Sequence, residues 1–194
     1  MDKSQGSGRV RINGGALRGR WVSFSASDVR PTKATVRKTV FNWLRPVISN
    51  MVCLDCFCGS GILGFEALSE GAGSVLCLDR SAQVVKDVGR SAIELGVDSL
   101  SVCQWGFPRR LTVSVLCDLV FFDPPFGQVG VKELLGWLVL QRCLRVGGLV
   151  YIEYNKKELL DPGPFFTVYR QSVSAGVAFC LLLYMGNAEG GDGG

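Results

Sequence analysis

The stretch Leu54-Asp55-Cys56-Phe57-Cys58-Gly59-Ser60-Gly61-Ile62-Leu63-Gly64, residues 54–64, decides the fold class of this chain. An apolar run enters it and ends at Asp55, which predicts a buried strand, and the segment 61–70 predicts a helix. Its three glycines satisfy the pattern G-x-G-x-x-G, in which small residues let the backbone approach a bound nucleotide closely. The stretch therefore predicts a strand, a tight turn and a helix, the first unit of an α/β sheet.

Strand and helix patterns alternate beyond this stretch. Helical patterns lie around 61–70, 81–95 and 129–143, between apolar runs that end near Asp55, Asp79, Cys103, Phe122 and Glu153. Such alternation with short connections predicts a parallel sheet covered on both faces. Phe165–Gln171 and Val177–Tyr184 predict two further strands, and Ser172–Gly176 between them is too short for a parallel crossover. The predicted fold is an α/β, Rossmann-like, seven-stranded sheet that ends in an antiparallel hairpin.

The composition excludes several classes of protein. The 194 residues suit one domain, and 47% hydrophobic against 20% charged residues predicts a packed core rather than disorder. The chain has no histidine, which excludes Ser–His–Asp and Cys–His triads and histidine-ligated zinc. No apolar stretch of the sequence reaches the roughly 18 residues of a membrane span, so we expect no membrane partner.

The eight cysteines predict neither disulfides nor a metal site. The N-terminal sequence has no apolar signal region, and the cluster at 53–58 has no second pair of ligands to complete a zinc site. Four cysteines lie inside apolar runs, as buried reduced cysteines do: Cys53, Cys77, Cys117 and Cys180. We therefore expect a reduced, cytoplasmic protein without a bound metal.

Positive charge is concentrated in the first part of the chain. Residues 1–50 hold ten Lys/Arg and two acids, a net +8, whereas residues 51–194 hold eleven Lys/Arg and fifteen acids, a net −4. This asymmetry predicts a basic arm that binds a polyanion, with a solvated basic face as the alternative. The predicted organisation is a disordered N-terminus, a basic hairpin and helix, a main domain and a flexible tail: 1–8, 9–50, 51–185 and 186–194.

A helix is predicted within the arm. Pro31 and Thr32 resemble a helix entry with Thr32 as the N-cap, apolar residues then recur at helical spacing to Leu44, and Pro46 ends the pattern. The arginines before this helix are interrupted by glycines and by Trp21 and Phe24. This mixture suits contact with a nucleic-acid backbone and stacking on its bases.

Two carboxylates accompany the glycine stretch. Asp55 precedes Gly59 by four residues and would lie where a dinucleotide places its pyrophosphate. An anion there repels a diphosphate but suits the sulfonium and ammonium groups of S-adenosylmethionine. Asp79, twenty residues after Gly59, is placed to accept ribose hydroxyls. A nicotinamide oxidoreductase is the alternative, and it leaves Asp55 unexplained.

A second motif, Asp123-Pro124-Pro125-Phe126, follows the strand that ends at Phe122. Ligands of open α/β sheets bind beyond the carboxyl ends of the strands, so we expect this tetrad to face the glycine stretch. The carboxylate of Asp123 and a proline carbonyl would accept both hydrogens of an exocyclic amine, and Phe126 would stack on the base. Such a grip points the nitrogen lone pair at a methyl group and requires no histidine.

These motifs resemble the ribosomal small-subunit methyltransferase D family. The matching segments, in the family's order, are Arg11-Ile12-Asn13-Gly14-Gly15, Arg18-Gly19-Arg20, Arg30-Pro31-Thr32, Val36-Arg37, Phe41-Asn42-Trp43-Leu44, 54–61 and the tetrad 123–126. The resemblance covers about residues 9–184. It implies S-adenosylmethionine-dependent methylation of guanine N2 in small-subunit (16S) ribosomal RNA, with that RNA or a small-subunit assembly particle as the partner. We expect a monomer.

Motifs and resemblance together predict the site residues. The catalytic residues are Asp123, Pro124 and Phe126. The cofactor-binding residues are Thr32, Asp55, Phe57, Gly59, Ser60, Gly61, Asp79, Gly106 and Phe107. The RNA-binding residues are Arg9, Arg11, Arg18, Arg20, Arg30 and Arg37. Because Cys77 stands where the family often has an acid, and Gly106 where it has Asn or Asp, the ribose and adenine contacts stay open.

Two further functions fit the same motifs. The tetrad grips any exocyclic amine, so methylation of adenine N6 in DNA or RNA is the second enzymatic hypothesis. An RNA-binding or assembly factor that has lost turnover is the non-enzymatic one. The modified nucleoside distinguishes all three.

Overall fold

The computed structural model describes residues 8–25, 31–111, 116–125, 129–174 and 176–186. By compactness the chain divides into two units, Met1–Arg109 and Arg110–Gly194. The first contains β1 (Gly8–Arg11), β2 (Trp21–Phe24), α1 (Ala34–Leu44), β3 (Val52–Asp55), α2 (Ile62–Ser69), β4 (Ser74–Asp79), α3 (Ala82–Leu95) and β5 (Leu100–Gln104). The second contains β6 (Cys117–Phe122), α4 (Val131–Gln141), β7 (Leu144–Tyr154), β8 (Phe166–Ser174) and β9 (Val177–Tyr184).

Seven strands form one sheet in the order β5-β4-β3-β6-β7-β9-β8. The pairs β3–β4, β4–β5 and β6–β7 are parallel, and β9 is antiparallel to both β7 and β8. The predicted alternating α/β fold with its terminal hairpin is thus confirmed. The predicted loop Ser172–Gly176 was too long, because the strand pairing continues to Ser174, which lies opposite Val177.

The core of each unit is built from the apolar strands. In the second unit, Phe121, Phe122 and Phe179 are completely buried. All eight cysteines lie within the described residues, none forms a disulfide, and the four from apolar runs are buried as predicted. Within the described ranges no helix has both the length and the apolar character needed to span a membrane.

The entry to α1 differs from the prediction. The N-cap is Lys33 with an extended backbone (φ −59°, ψ 141°) and no capping side chain, so the helix begins at Ala34. Thr32 therefore lies one residue too early to cap the helix, and its assignment as the N-cap was wrong. Thr32 is instead buried, and its carbonyl accepts a hydrogen bond from the Arg37 guanidinium.

The basic arm begins as a two-stranded hairpin that packs on the helices of the first unit. Strands β1 and β2 pair antiparallel, with Arg9 opposite Ser23 and Arg11 opposite Trp21. Val22 and Ile12 turn inward and are fully buried, which provides the hairpin with an apolar underside. The amphipathic alternation of the strands leaves the arginine side chains on the outer face.

Buried Glu66 on α2 holds the hairpin connection in place. Its carboxylate accepts the backbone N–H of Asn13 at 2.9 Å and that of Gly14 at 3.3 Å. It also forms a buried ion pair with Arg37, whose Nε lies 3.1 Å from Oε1. Arg37 in turn donates to the Arg11 carbonyl at 2.9 Å. One carboxylate therefore ties the hairpin, α1 and α2 together.

The backbone of the same connection lies directly on α2. Gly15 has φ +69°, and a Cβ built there would lie 1.7 Å from the Ser69 carbonyl oxygen. Ala16 donates to that carbonyl at 2.8 Å, and the Ser69 hydroxyl accepts the N–H of Leu17 at 2.8 Å. The close approach requires glycine because every other residue would force the two segments apart.

A second buried carboxylate, Asp87 on α3, holds the far end of the hairpin. It accepts the backbone N–H and the hydroxyl of Ser25 at 2.8 and 2.6 Å, and it pairs with Arg90. Burial alone would raise the pKa of Asp87, but these hydrogen bonds, one from Gln83 and the Arg90 charge outweigh burial and lower it. Asp87 thus remains ionised in the folded protein.

We expect Glu66→Ala to lower the free energy of unfolding by about 3–5 kcal/mol, because the substitution leaves the Arg37 charge buried and unpaired. Chemical denaturation measures the change. As a control, Asp118→Ala breaks a pair whose arginine partner is about half exposed, and it is expected to cost less than about 1 kcal/mol. Equal losses in the two variants would contradict the anchoring role of Glu66.

The stability that Asp87 contributes should depend on pH in a definite direction. Because its folded pKa is lowered from 3.8, the contribution is fully present above that value and is lost as the pH falls through the folded pKa. The difference in unfolding free energy between wild type and Asp87→Asn should therefore shrink below pH 3.8. A difference that stays constant down to strongly acidic pH would rule this out.

Candidate functional site

The glycine stretch forms a tight turn between β3 and α2. Gly59 and Gly61 have φ values of 50° and 76°, which side chains rarely adopt, and Gly61 is the residue before the first turn of α2. A Cβ at Gly61 would lie 3.1 Å from both Phe65 and Val88. The turn therefore keeps its backbone close to the N-terminus of a helix, where N–H groups and the helix dipole face outward.

Asp79 connects this turn to the end of β4. Its Oδ2 accepts the N–H of Gly59 at 3.1 Å, and its Oδ1 accepts the N–H of Ser81 at 2.9 Å. Each carboxylate oxygen retains a second lone pair, so these bonds leave Asp79 able to accept hydroxyl groups. The structure thus brings together Gly59 and Asp79, two predicted cofactor residues that are twenty residues apart in the sequence.

Two buried polar residues of the turn suit a cationic ligand. Asp55, at the end of β3, is 1% exposed. Ser60 is also buried, and its hydroxyl makes no hydrogen bond to any of the residues that the structure describes. A buried hydroxyl of this kind is costly unless a further partner satisfies it. The turn fits a ligand that brings positive charge and hydrogen-bonding groups.

The aspartates at the turn contribute to raised pKa values of two buried thiols, those of Cys58 and Cys77. Their mutual hydrogen bond, burial and the charges of Asp55 and Asp79 raise the pKa of Cys58 well above its usual value. For Cys77 the bond to Cys58 alone would lower the pKa, but burial and the same two aspartates raise it overall. Both side chains are therefore neutral, and the negative charge around the turn comes from the aspartates.

An aromatic cluster lies beside the turn. The rings of Phe57 and Phe107 have centroids 6.0 Å apart, and Trp105 contacts Phe107 edge-on at 6.5 Å. The backbone N–H of Trp105 donates to the Asp79 carbonyl at 2.8 Å, which places this segment at the end of β4. The predicted residues Phe57 and Phe107 are therefore neighbours. Trp105, which was not predicted, belongs to the same cluster, and its only sequence signal was its position beside Gly106.

The second unit carries the tetrad at the end of β6. Asp123 is partly buried and Pro124 is buried. Tyr151, completely buried in β7, donates its hydroxyl to Glu153 at 2.6 Å. Burial, Glu153 and then Asp123 raise the pKa of Tyr151 well above its usual value, so the phenol stays protonated. Predicted Phe126 lies outside the described residues.

Sequence reasoning missed the pair Tyr151–Glu153. Both residues stand inside an otherwise apolar strand, and Glu153 is only 7% exposed. A buried acid in such a strand needs a hydrogen-bond partner, which is the signal that could have identified the pair. The charge of Asp123 reaches Tyr151.

The predicted RNA-binding arginines divide into two groups. Arg9, Arg11, Arg18 and Arg20 are exposed on the hairpin. Arg37 is 2% exposed and paired with Glu66, so it has no surface to offer a phosphate, and we reassign it to the anchoring of the hairpin. Predicted Arg30 lies outside the described residues. Thr32 is buried, and its role toward the cofactor stays a prediction.

Acidic and cysteine side chains do not gather into a metal site in the part of the chain that the structure describes. Among those residues, no group of three or more His, Cys, Asp or Glu side chains is arranged to hold an ion.

Comparisons with known proteins match this arrangement. A family model described as Conserved hypothetical protein 95 matches residues 10–183. Ribosomal RNA small subunit methyltransferase D of Escherichia coli strain K12 is 37% identical, over 95% of this chain and 94% of that protein. The chain belongs to this family. The Haemophilus influenzae protein of the same name is 32% identical, over 90% of this chain and 93% of its own length.

Solved structures of two bacterial proteins have the same fold as this chain. The candidate methyltransferase yhhF of Escherichia coli superposes with a TM-score of 0.82 at 30% identity, covering 93% of this chain and all (100%) of that one. A Thermus thermophilus protein, TTHA0928, superposes with a TM-score of 0.73 at 26% identity over 89% of this chain and 98% of its own. Membership of the family makes S-adenosylmethionine the methyl donor, which agrees with the negatively charged turn.

We expect Asp79→Ala to weaken S-adenosylmethionine binding at least about tenfold, because a lost charged hydrogen-bond partner costs about 1.5–3 kcal/mol. Calorimetric titration of the purified chain measures the affinity. Asp98→Ala removes the same charge from an exposed position of the same unit and should leave affinity within about twofold of wild type, since exposed charges are screened. Equal affinity in all three proteins would remove Asp79 from the cofactor site.

Proposed function

We propose that this chain methylates the exocyclic N2 amine of a guanine in small-subunit ribosomal RNA, with S-adenosylmethionine as the donor. The observation that carries the proposal is the sequence Asp123-Pro124-Pro125 at the end of β6 in a chain whose relatives are named small-subunit ribosomal RNA methyltransferases. The exposed arginines of the hairpin and the negative turn support it from the first unit.

The cofactor is proposed to bind at the turn after β3. Asp55 and Asp79 attract its positive groups and accept its hydroxyls, Ser60 supplies a buried hydroxyl, and Phe57 and Phe107 provide flat apolar surface for a base. When bound, the cofactor supplies an electrophilic methyl group on a sulfonium. The protein contributes the pocket and keeps its own thiols neutral, so that they do not compete as nucleophiles.

The target amine is proposed to be held by Asp123 and Pro124. A carboxylate oxygen and a carbonyl oxygen accept one N–H each, and the two prolines restrict the backbone that carries the carbonyl. Holding both hydrogens draws the nitrogen lone pair out of conjugation with the ring. After transfer the extra proton on nitrogen leaves to Asp123 or to water, and Phe126 is proposed to stack on the extruded base.

The RNA backbone is proposed to lie along the hairpin. Residues 8–25 carry four arginines and no acid, and all four are exposed. Arginine binds phosphate through two parallel N–H groups, so four such side chains hold several phosphates of a folded RNA. This surface would position the substrate and leave the choice of nucleotide to the tetrad.

The experiment that tests the proposal follows the modified nucleoside. Small-subunit RNA from cells that lack this protein is incubated with purified chain and labelled S-adenosylmethionine, then digested to nucleosides. Label in N2-methylguanosine is the expected result. Label in N6-methyladenosine would show that the methylated base is adenine instead of guanine. RNA binding without incorporated label would identify an RNA-binding factor that does not methylate.

We expect Asp123→Asn to reduce kcat by a factor of about 100 or more, because removal of one electrostatic partner of the transition state commonly costs that much. Cofactor affinity should remain within about twofold, since the proposed cofactor residues are untouched. Asp118→Asn, at the other end of β6, is the matched control and should retain nearly full activity. Full activity in Asp123→Asn would remove Asp123 from catalysis.

A further inference from the structure

The outer face of the hairpin carries an exposed tryptophan between arginines. Trp21 is 50% exposed, so a large apolar side chain is in contact with solvent here. The guanidinium carbons of Arg9 and Arg11 lie 5.5 and 5.9 Å from its ring centroid. Arg11 stands directly opposite Trp21 in the strand pairing. Two cations therefore lie close to one half-exposed indole ring at the surface.

The charges of these arginines are not neutralised within the hairpin. No salt bridge among the described residues involves Arg9 or Arg11, and residues 8–25 contain no acid. Within the described ranges, the Arg11 side chain donates to the Gly19 carbonyl, at 3.2 Å, and this bond leaves its charge in place. A ligand for this surface must therefore bring negative charge together with a flat aromatic group. A nucleotide with an unpaired base has both properties.

The other aromatic residue of the hairpin does not share this position. Phe24 lies on the same side of β2 as Val22, which is completely buried. Its ring covers Gly8 so closely that a Cβ added there would lie 2.4 Å from the ring. Phe24 therefore packs against Gly8 and lines the cleft beside the hairpin, whereas Trp21 presents its ring on the outer face.

Space for a neighbouring nucleotide lies beside the tryptophan. Arg9, which contacts the Trp21 ring, also lines a cleft of about 290 Å³ together with Arg90 of α3. The Asp87 carboxylate at this cleft accepts a hydrogen bond from Ser25 and forms an ion pair with Arg90, so it does not neutralise Arg9. A chain that stacks one base on Trp21 thus meets the charge of Arg9 at this cleft, because the charge of Arg90 is compensated by Asp87.

We infer that Trp21, flanked by Arg9 and Arg11, is a stacking platform for an unpaired nucleobase of the RNA substrate. This inference rests on the proposed function, because it takes RNA as the polyanion that the hairpin binds. It assigns different tasks to the two kinds of side chain. The arginines hold phosphates, which both paired and unpaired RNA possess, whereas the indole selects RNA in which a base is free to stack.

Binding of the full chain to labelled RNA tests the platform. The probes are a single-stranded RNA of about 12 nucleotides and the same strand annealed to its complement. Trp21→Ala is expected to weaken single-strand binding about tenfold or more, because stacking on one aromatic residue is worth that much. Duplex binding should change by less than about twofold, since paired bases do not stack on a side chain. Trp21→Phe, which keeps an aromatic face, should recover most of the affinity.

The salt dependence separates stacking from charge. The slope of log K against log salt should be unchanged in Trp21→Ala, whereas Arg9→Gln should reduce it by about 0.7 for a lost phosphate contact. Tyr169→Ala is the matched control, because Tyr169 is 46% exposed with the Arg170 guanidinium 5.4 Å from its ring, on β8 of the other unit. That variant should bind both RNAs like wild type.

Several outcomes would overturn the platform. They are single-strand affinity in Trp21→Ala equal to wild type, an equal loss for the duplex, an altered salt slope in that variant, or the same loss in Tyr169→Ala. A thermal midpoint and a cofactor affinity that match wild type show that a loss in Trp21→Ala is not unfolding. Failure of the proposed function is distinguishable from failure of the platform. In that case wild-type protein leaves guanine N2 unmethylated, while Trp21→Ala still loses single-strand binding.

Discussion

The buried pair of Glu66 and Arg37 is the interaction on which the arrangement of the first unit depends. An isolated charge in the interior is strongly unfavourable, so each member of the pair is tolerable only while the other is present. Glu66 also accepts two backbone N–H groups of the hairpin connection, and Arg37 donates to the carbonyls of Thr32 and Arg11. The hairpin can leave its place only if several buried polar groups lose their partners at once.

This anchoring relates the hairpin to the cofactor turn through one short helix. Helix α2 begins directly after Gly61 and carries Glu66 in its second turn. A helix of eight residues is stiff over its length of about 12 Å. The turn that is proposed to hold the cofactor and the hairpin that is proposed to hold RNA are therefore positioned by opposite ends of the same rigid element. The close contact of Gly15 with the Ser69 carbonyl also restricts where the hairpin can lie on α2.

Charge is divided between the two surfaces in a way that the cofactor chemistry requires. The turn is negative because Asp55 and Asp79 lie at it. The hairpin is positive because residues 8–25 contain four arginines and no acid. The proposed sites for a cationic methyl donor and for an anionic RNA thus each have the sign opposite to that of their ligand.

The fold could be predicted because its signals are local. Strand and helix periods, the glycines at 59–64 and the short final connection each lie within a few residues of one another, and the seven-stranded order confirms them. Phe57 and Phe107 were each predicted as site residues, but no period in the sequence predicted that their rings would be neighbours. The turn at Gly61, predicted from neighbouring residues alone, agrees with the structure. The equally local prediction of Thr32 as the N-cap was wrong by one residue.

The role of Arg37 could not be predicted because it depends on a partner 29 residues away. In the sequence Arg37 is one more cation in a basic segment, and nothing nearby shows that its charge is buried. Tyr151 and Glu153 were missed for the related reason that their hydrogen bond exists only once the strand is buried. Charge patterns in a sequence therefore locate a basic surface well, but they overcount it. A cation contributes to binding RNA only if no acid of the folded chain has already neutralised it, and for Arg9 and Arg11, unlike Arg37, that condition is met by the described residues.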